Sequence, residues 1–240
     1  MFALNAPRPM SKSLRVLAAL LSYPDAQHRS VLAELSAVLQ DERAVSAPRQ
    51  QEIAALIDSI QRIDALQAEA DYVELFDRGR STSLHLFEHV HGDSRERGPA
   101  MIDLGQTYEK AGLILAEGEL PDYLPAVLEF VSTQPPSEAR AFLGEMSHIF
   151  NAIFGALQQH GSAYASVLGA LLELAGEKAQ AVTPPAEPPR DESWAEPVVF
   201  DGCSSKGQAK PGQPQPVHIV RNTNAANAAK AVNVAQGVTP

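Results

Sequence analysis

The 240-residue chain predicts an all-α fold, and three observations carry that expectation. Apolar residues recur at helical spacing through nearly all of residues 1–182. No stretch there sustains apolar/polar alternation between turn signals. Prolines and glycines mark the starts and stops of the periodic runs. Together these predict a single compact bundle of about seven to eight helices.

The first helix runs from about Lys12 to Ser22 and stops before Tyr23-Pro24, because a residue preceding proline is pushed out of the α region. Pro24 then opens a second helix, to about Gln40. Ser46 as N-cap, with Pro48 in the first turn, starts the longest one. Its stripe is Ile53, Leu56, Ile57, Ile60, Ile63, Leu66, Ala70 and Val73, and Gly79 closes it through a positive φ. A short histidine-rich helix is expected from about Thr82 to His91, and another from Pro99 to Glu117, closed by Gly118. Pro121 starts the next, with the face Leu124, Val127, Leu128 and Val131, and Pro135-Pro136 ends it. Ser137 caps a helix carrying Phe142, Met146, Ile149, Phe150, Ile153, Phe154 and Leu157, which Gly161 breaks. A last helix bears Tyr164, Leu168, Leu171, Leu172 and Ala175. Burying a large apolar side chain contributes about 1.5–3 kcal/mol gross, so each helix offsets its ordering entropy only by packing on the others.

The composition changes near residue 183. Nine of the eighteen prolines lie after Val182, and the sequence then runs into Ala, Asn, Val and Gly without helical or strand periodicity. Residues 183–240 are therefore expected to form a flexible, disordered tail behind a helical domain of residues 1–182. A domain of that size buries roughly 70 percent of the surface its unfolded chain exposes, so no disulfide or metal staple is needed. The tail carries five acidic and five basic residues, which leaves the net charge of −10 on the helical body. Such a surface repels phosphate backbones and anionic lipids and attracts basic peptides. Nucleic-acid binding and stable membrane insertion are not expected. The single Cys203 excludes an intramolecular disulfide and a multi-thiolate metal site within one chain. No continuous apolar run of a membrane span and no secretory signal are visible, so a cytoplasmic location is expected.

Charge, histidine and glycine concentrate between Tyr72 and Leu104. Within that stretch, LFDRGRSTSLHLFEHVHGDSRERGPAM, Leu75 to Met101, closely resembles the signature of the NarJ-type nitrate reductase molybdenum cofactor assembly chaperones. These belong to a wider group of all-helical chaperones for molybdenum oxidoreductases. Further similarity lies at Leu21 to Asp25 (LSYPD), Glu119 to Phe130 (ELPDYLPAVLEF) and Asp191 to Phe200 (DESWAEPVVF). Tyr123 stands where the wider group tends to place histidine, so no imidazole role carries over to that position.

The resemblance implies a chaperone, not an enzyme, that binds the N-terminal segment of the catalytic subunit of respiratory nitrate reductase. It would hold the apo-enzyme competent for insertion of molybdenum cofactor and iron–sulfur cluster before membrane docking, alongside molybdenum cofactor biosynthesis proteins. No cofactor or metal of its own is implied. The candidate client-binding residues are Tyr72, Leu75, Phe76, Asp77, His85, His89, Asp122 and Tyr123. Arg78, Gly79, Arg80, Glu88, Asp93, Arg95 and Arg97 are the candidate loop organisers, because arginine–carboxylate pairs fix a polar loop against a helical body. A basic amphipathic client helix would lay its apolar face in a groove between helices.

Two other readings stay open. His85, Glu88 and His89 spell H-x-x-E-H, the pattern of inverted zinc metallopeptidases, with both imidazoles expected on one helix face. A short helix and four crowding arginines disfavour a dication there. The chain is also readable as a generic helical peptide-binding adaptor. Leu75 and Phe76 have an ordinary account as core residues, Asp122 as a charge favourable to a helix N-terminus, and Trp194 as part of a solvated tail.

Overall fold

Ala165–Ala175 is an apolar helix buried at all but one of its residues, and other elements assemble around it. In a computed structural model, which describes residues 9–92 and 94–180, this last helix packs on four others. The tail from residue 183, with Trp194 and Cys203, lies outside the described residues, as does Asp93. The described residues form ten α-helices and one π-helical segment, and no strand. In order these are α1 Ser11–Leu21, α2 Ala26–Glu42, α3 Ala47–Arg62, α4 Ala65–Tyr72, the π segment Val73–Asp77, α5 Leu86–Val90, α6 Arg97–Lys110, α7 Leu124–Ser132, α8 Pro136–Glu145, α9 Ser147–Gln159 and α10 Ala165–Ala175. The core is built where α10 meets α9, α8, α3 and α1, and where α1 meets α7 and α2.

The all-α class is as the sequence predicts, and the larger helix number comes from two breaks. The long helix expected from Ser46 to Gly79 is interrupted at Ile63-Asp64. Asp64 caps α4 by accepting the N–H of Leu66 at 3.0 Å. Across the break, Arg29 of α2 donates from Nη2 to Ile63 O at 2.8 Å and from Nη1 to Asp64 O at 3.2 Å, satisfying carbonyls at a helix end. The break turns the helix. Ile53, Leu56, Ile57 and Ile60 are buried as expected, but Leu66 and Ala70 face solvent, and the inward side becomes Ala68, Tyr72 and Phe76. The second break falls at Met146, between α8 and α9.

Several boundaries also differ. Asp25, not Pro24, opens α2, accepting the N–H of His28 at 2.7 Å. Pro135 and Pro136 start α8, one residue ahead of Ser137. The helix after Pro99 ends at Lys110 rather than Glu117, because Gly112 takes φ +80° there and Leu113 N–H returns to Tyr108 O at 2.9 Å. Gly79 does not take a positive φ. It is a close-approach glycine: a Cβ on it would lie 2.6 Å from Thr82 Oγ1.

Candidate functional site

The π segment inserts one residue into the helical register, and this places Phe76 inward and Asp77 outward at the mouth of a groove. Two other stretches complete it. His85 is extended rather than helical, and it bridges antiparallel to Tyr123: Leu86 N–H donates to Asp122 O at 3.0 Å and Leu124 N–H to Leu84 O at 2.8 Å. The groove between them has a volume of about 400 Å³. Tyr72, Phe76, Leu84 and Tyr123 line it, together with Tyr23, His85 and Leu120, and Asp77 and Glu119 bring carboxylates to it.

Its aromatic floor is held rigidly. Tyr72 donates to the carbonyl of Leu21 at 2.7 Å and lies 3.0 Å from the Tyr123 hydroxyl. The Leu21 carbonyl can only accept, and Tyr72 is its nearer donor, with the Tyr123 hydroxyl at 3.4 Å; with the Tyr72 proton on Leu21, the shorter bond open to Tyr123 is to the Tyr72 oxygen. The Tyr72 ring meets Phe76 at 4.8 Å and Tyr23 edge-on at 5.7 Å, distances favourable for aromatic pairs. Burial raises the Tyr72 and Tyr123 hydroxyls above the usual phenol range, and the hydrogen bond to Glu69 raises that of Tyr23. All three stay neutral donors near pH 7.

Beneath the groove, Asp122 is completely buried. Its carboxylate accepts the N–H of Phe87 at 3.2 Å, takes the Nδ1 of His85 at 3.4 Å, and lies 3.8 Å from the guanidinium of Arg97. Asp122 therefore caps α5, not the helix that follows it. The bond to Asp122 raises the pKa of His85 above the ordinary imidazole value, against an opposing effect of burial. Arg97 also reaches Glu88 at 3.5 Å.

The structure brings Tyr72, Phe76, Asp77, His85 and Tyr123 together on one groove, with Asp122 under it. Leu75 is half-buried against the core instead. His85 and His89 do not share a helix face, because α5 begins only at Leu86; His89 Nε2 donates to Ser83 O at 2.9 Å while His85 faces Asp122. Among the described residues, no three His, Cys, Asp or Glu side chains are grouped to hold a metal ion. Of the expected loop organisers, Arg97 serves the Glu88 carboxylate, whereas Arg78 pairs with Glu74 at 2.6 Å rather than with Asp77. Arg78, Gly79, Arg80 and Glu88 line a recess beside the groove. Arg95 is exposed. Sequence reasoning did not single out Tyr23, Leu84, Glu119 or Leu120 for the groove. Tyr23, Glu119 and Leu120 all lie in the segments LSYPD and ELPDYLPAVLEF, and a tyrosine or leucine beside a proline turn was the available signal.

No helix among the described residues is long and apolar enough to cross a membrane. A family model described as nitrate reductase delta subunit matches residues 42–169. The chain is 43% identical over 165 residues to the nitrate reductase molybdenum cofactor assembly chaperone NarJ of Escherichia coli K12, covering 68% of this chain and 69% of the relative. It is 49% identical over 111 residues to the probable chaperone NarW of the same organism, covering 46% and 48%, and 32% identical over 159 residues to a probable NarJ of Bacillus subtilis, covering 65% and 84%. A crystal structure of a redox enzyme maturation protein from Archaeoglobus fulgidus superposes with a TM-score of 0.50 at 20% identity, covering 74% of this chain and all of that one, a likeness of fold. With the family model matching more than half of its length, the chain belongs to the nitrate reductase delta subunit family, the family of the nitrate reductase molybdenum cofactor assembly chaperones.

Proposed function

We propose that this protein is a system-specific chaperone that acts by binding, without catalysing a reaction, and that its client is the N-terminal segment of the catalytic subunit of respiratory nitrate reductase. The observation that carries this reading is the groove with an aromatic floor, Tyr72, Phe76 and Tyr123, and carboxylates at Asp77 and Glu119. An amphipathic helix lays its apolar face on such a floor, and basic residues on its flanks meet the carboxylates. The floor is tied to Leu21 O before the client arrives, so little ordering cost remains at binding.

Occupancy is then the mechanism. While its N-terminal segment is held, the apo-enzyme is kept from docking at the membrane and remains competent for insertion of the molybdenum cofactor and iron–sulfur cluster, delivered by cofactor biosynthesis proteins in the cytoplasm. Release of the segment ends the cycle, which calls for moderate affinity rather than tight binding.

The test is calorimetric titration of the full chain with the first twenty or so residues of the cognate catalytic subunit, at low and high salt. One-to-one binding that weakens as salt screens the carboxylates is the expected result. Absence of binding at both salts would refute the groove as the client site and leave a generic adaptor as the better description.

A further inference from the structure

The break at Asp64 leaves an apolar face without a partner. Leu66 is 75% exposed, Ala70 is exposed, and Val73 is half-buried, although all three continue the stripe that is core in α3. With Tyr23, itself 41% exposed, they line a second depression of about 510 Å³ on the outer side of α4 and the π segment. Tyr23 belongs to both depressions, so the second adjoins the first.

We infer that this outer ledge, floored by Leu66, Ala70, Val73 and Tyr23, is a second docking surface that takes a further apolar, positively charged stretch of the same client segment. The inference rests on the client reading above and adds to it where the rest of the segment goes. Charge decides the occupant. Glu69, Asp71 and Glu74 border the ledge, and among the described residues that line it Arg78 is the one cation, paired with Glu74 at 2.6 Å. Asp71 is held by Gln67 at 2.6 Å and Glu69 by the Tyr23 hydroxyl at 3.0 Å, so both carboxylates are fixed beside the apolar floor. A second copy of the chain would bring the same acidic border against itself, on a molecule of net charge −10. A cationic amphipathic segment meets no such repulsion.

The test uses the full chain and the first thirty or so residues of the cognate reductase catalytic subunit, with the neutral changes Leu66→Gln for the ledge and Leu120→Gln for the groove, which remove apolar contact without adding charge. Leu66 is exposed on α4 and glutamine is a good helix former, so Leu66→Gln is expected to keep the melting temperature of the parent. It should weaken client binding about tenfold, the effect of removing one large apolar contact. A benzophenone photo-crosslinker placed at residue 66 should also capture the client. Unchanged affinity in Leu66→Gln, with weakened affinity in Leu120→Gln, would overturn the ledge and leave the groove standing. Wild-type protein that binds no client would overturn both. Light scattering that shows a wild-type dimer dissociated by Leu66→Gln, at unchanged client affinity, would overturn the inference and assign the ledge to a second copy.

Discussion

The side chain of Asp122 accepts the backbone N–H of Phe87 at 3.2 Å across 35 residues of sequence, and so closes the start of α5 from a different part of the chain. The same carboxylate holds His85 and lies near Arg97. One buried charge thereby fixes the wall of the groove to its base.

Asp122→Ala is expected to lower the unfolding free energy by about 1–3 kcal/mol, because it strands the Phe87 N–H and removes the buried partner of His85. Asp122→Asn keeps an oxygen for Phe87 and should lose less. Urea denaturation midpoints of the two variants check this; equal losses would mean that the hydrogen bond to Phe87 contributes little.

The raised pKa of His85 makes the folded state hold its proton more tightly than the unfolded chain does. Its contribution to stability is complete below the ordinary imidazole value of about 6.5 and is lost as the pH rises through the higher folded value. The melting-temperature advantage of wild type over His85→Gln should therefore shrink from mildly acidic to alkaline pH. An advantage that grows with pH would contradict the pairing with Asp122.

Tyr72→Phe removes the donor to Leu21 O and should cost about 1 kcal/mol, whereas Tyr123→Phe should cost less, its hydroxyl being the outer member of the chain. The double variant is expected to cost less than the sum of the two by about 0.5 kcal/mol or more, since each single change already breaks the shared bond. A thermodynamic cycle from chemical denaturation measures that coupling.

Gly79→Ala puts a methyl group 2.6 Å from Thr82 Oγ1, and Thr82 is buried and bonded to Leu75 O and Gly79 O. About 1–3 kcal/mol of destabilisation is expected from that overpacking. Gly105→Ala, on α6 with no atom within 4 Å of the new Cβ, should instead stabilise by about 0.5–1 kcal/mol. Thermal melts of the two single variants should move in opposite directions.

Much of the candidate groove was legible because its residues are unusual for their surroundings. The Tyr72 to Leu104 stretch stands out by charge, histidine and glycine, and five of the residues picked there or at Asp122-Tyr123 do line one groove. What misled was local pattern. The H-x-x-E-H string suggests a shared helix face, yet His85 is extended and stands outside α5, bridged to Tyr123 by backbone hydrogen bonds on either side of it. Gly79 suggests a helix stop by positive φ, yet the constraint there is the nearness of Thr82.

The sequence by itself determined the all-α class, the start of α3 at Ser46, the extent of α1 and the apolar faces of α7, α9 and α10, because periodicity, caps and prolines act within a turn or two of backbone. Only the tertiary structure decided where the long helix breaks, which side of α4 is inward, and which helix Asp122 caps. Those outcomes depend on Arg29 reaching Ile63 O over 34 residues and Asp122 reaching Phe87 over 35. A hydrogen bond between distant positions leaves no periodicity in either segment, so nothing local to α4 or α5 announces it.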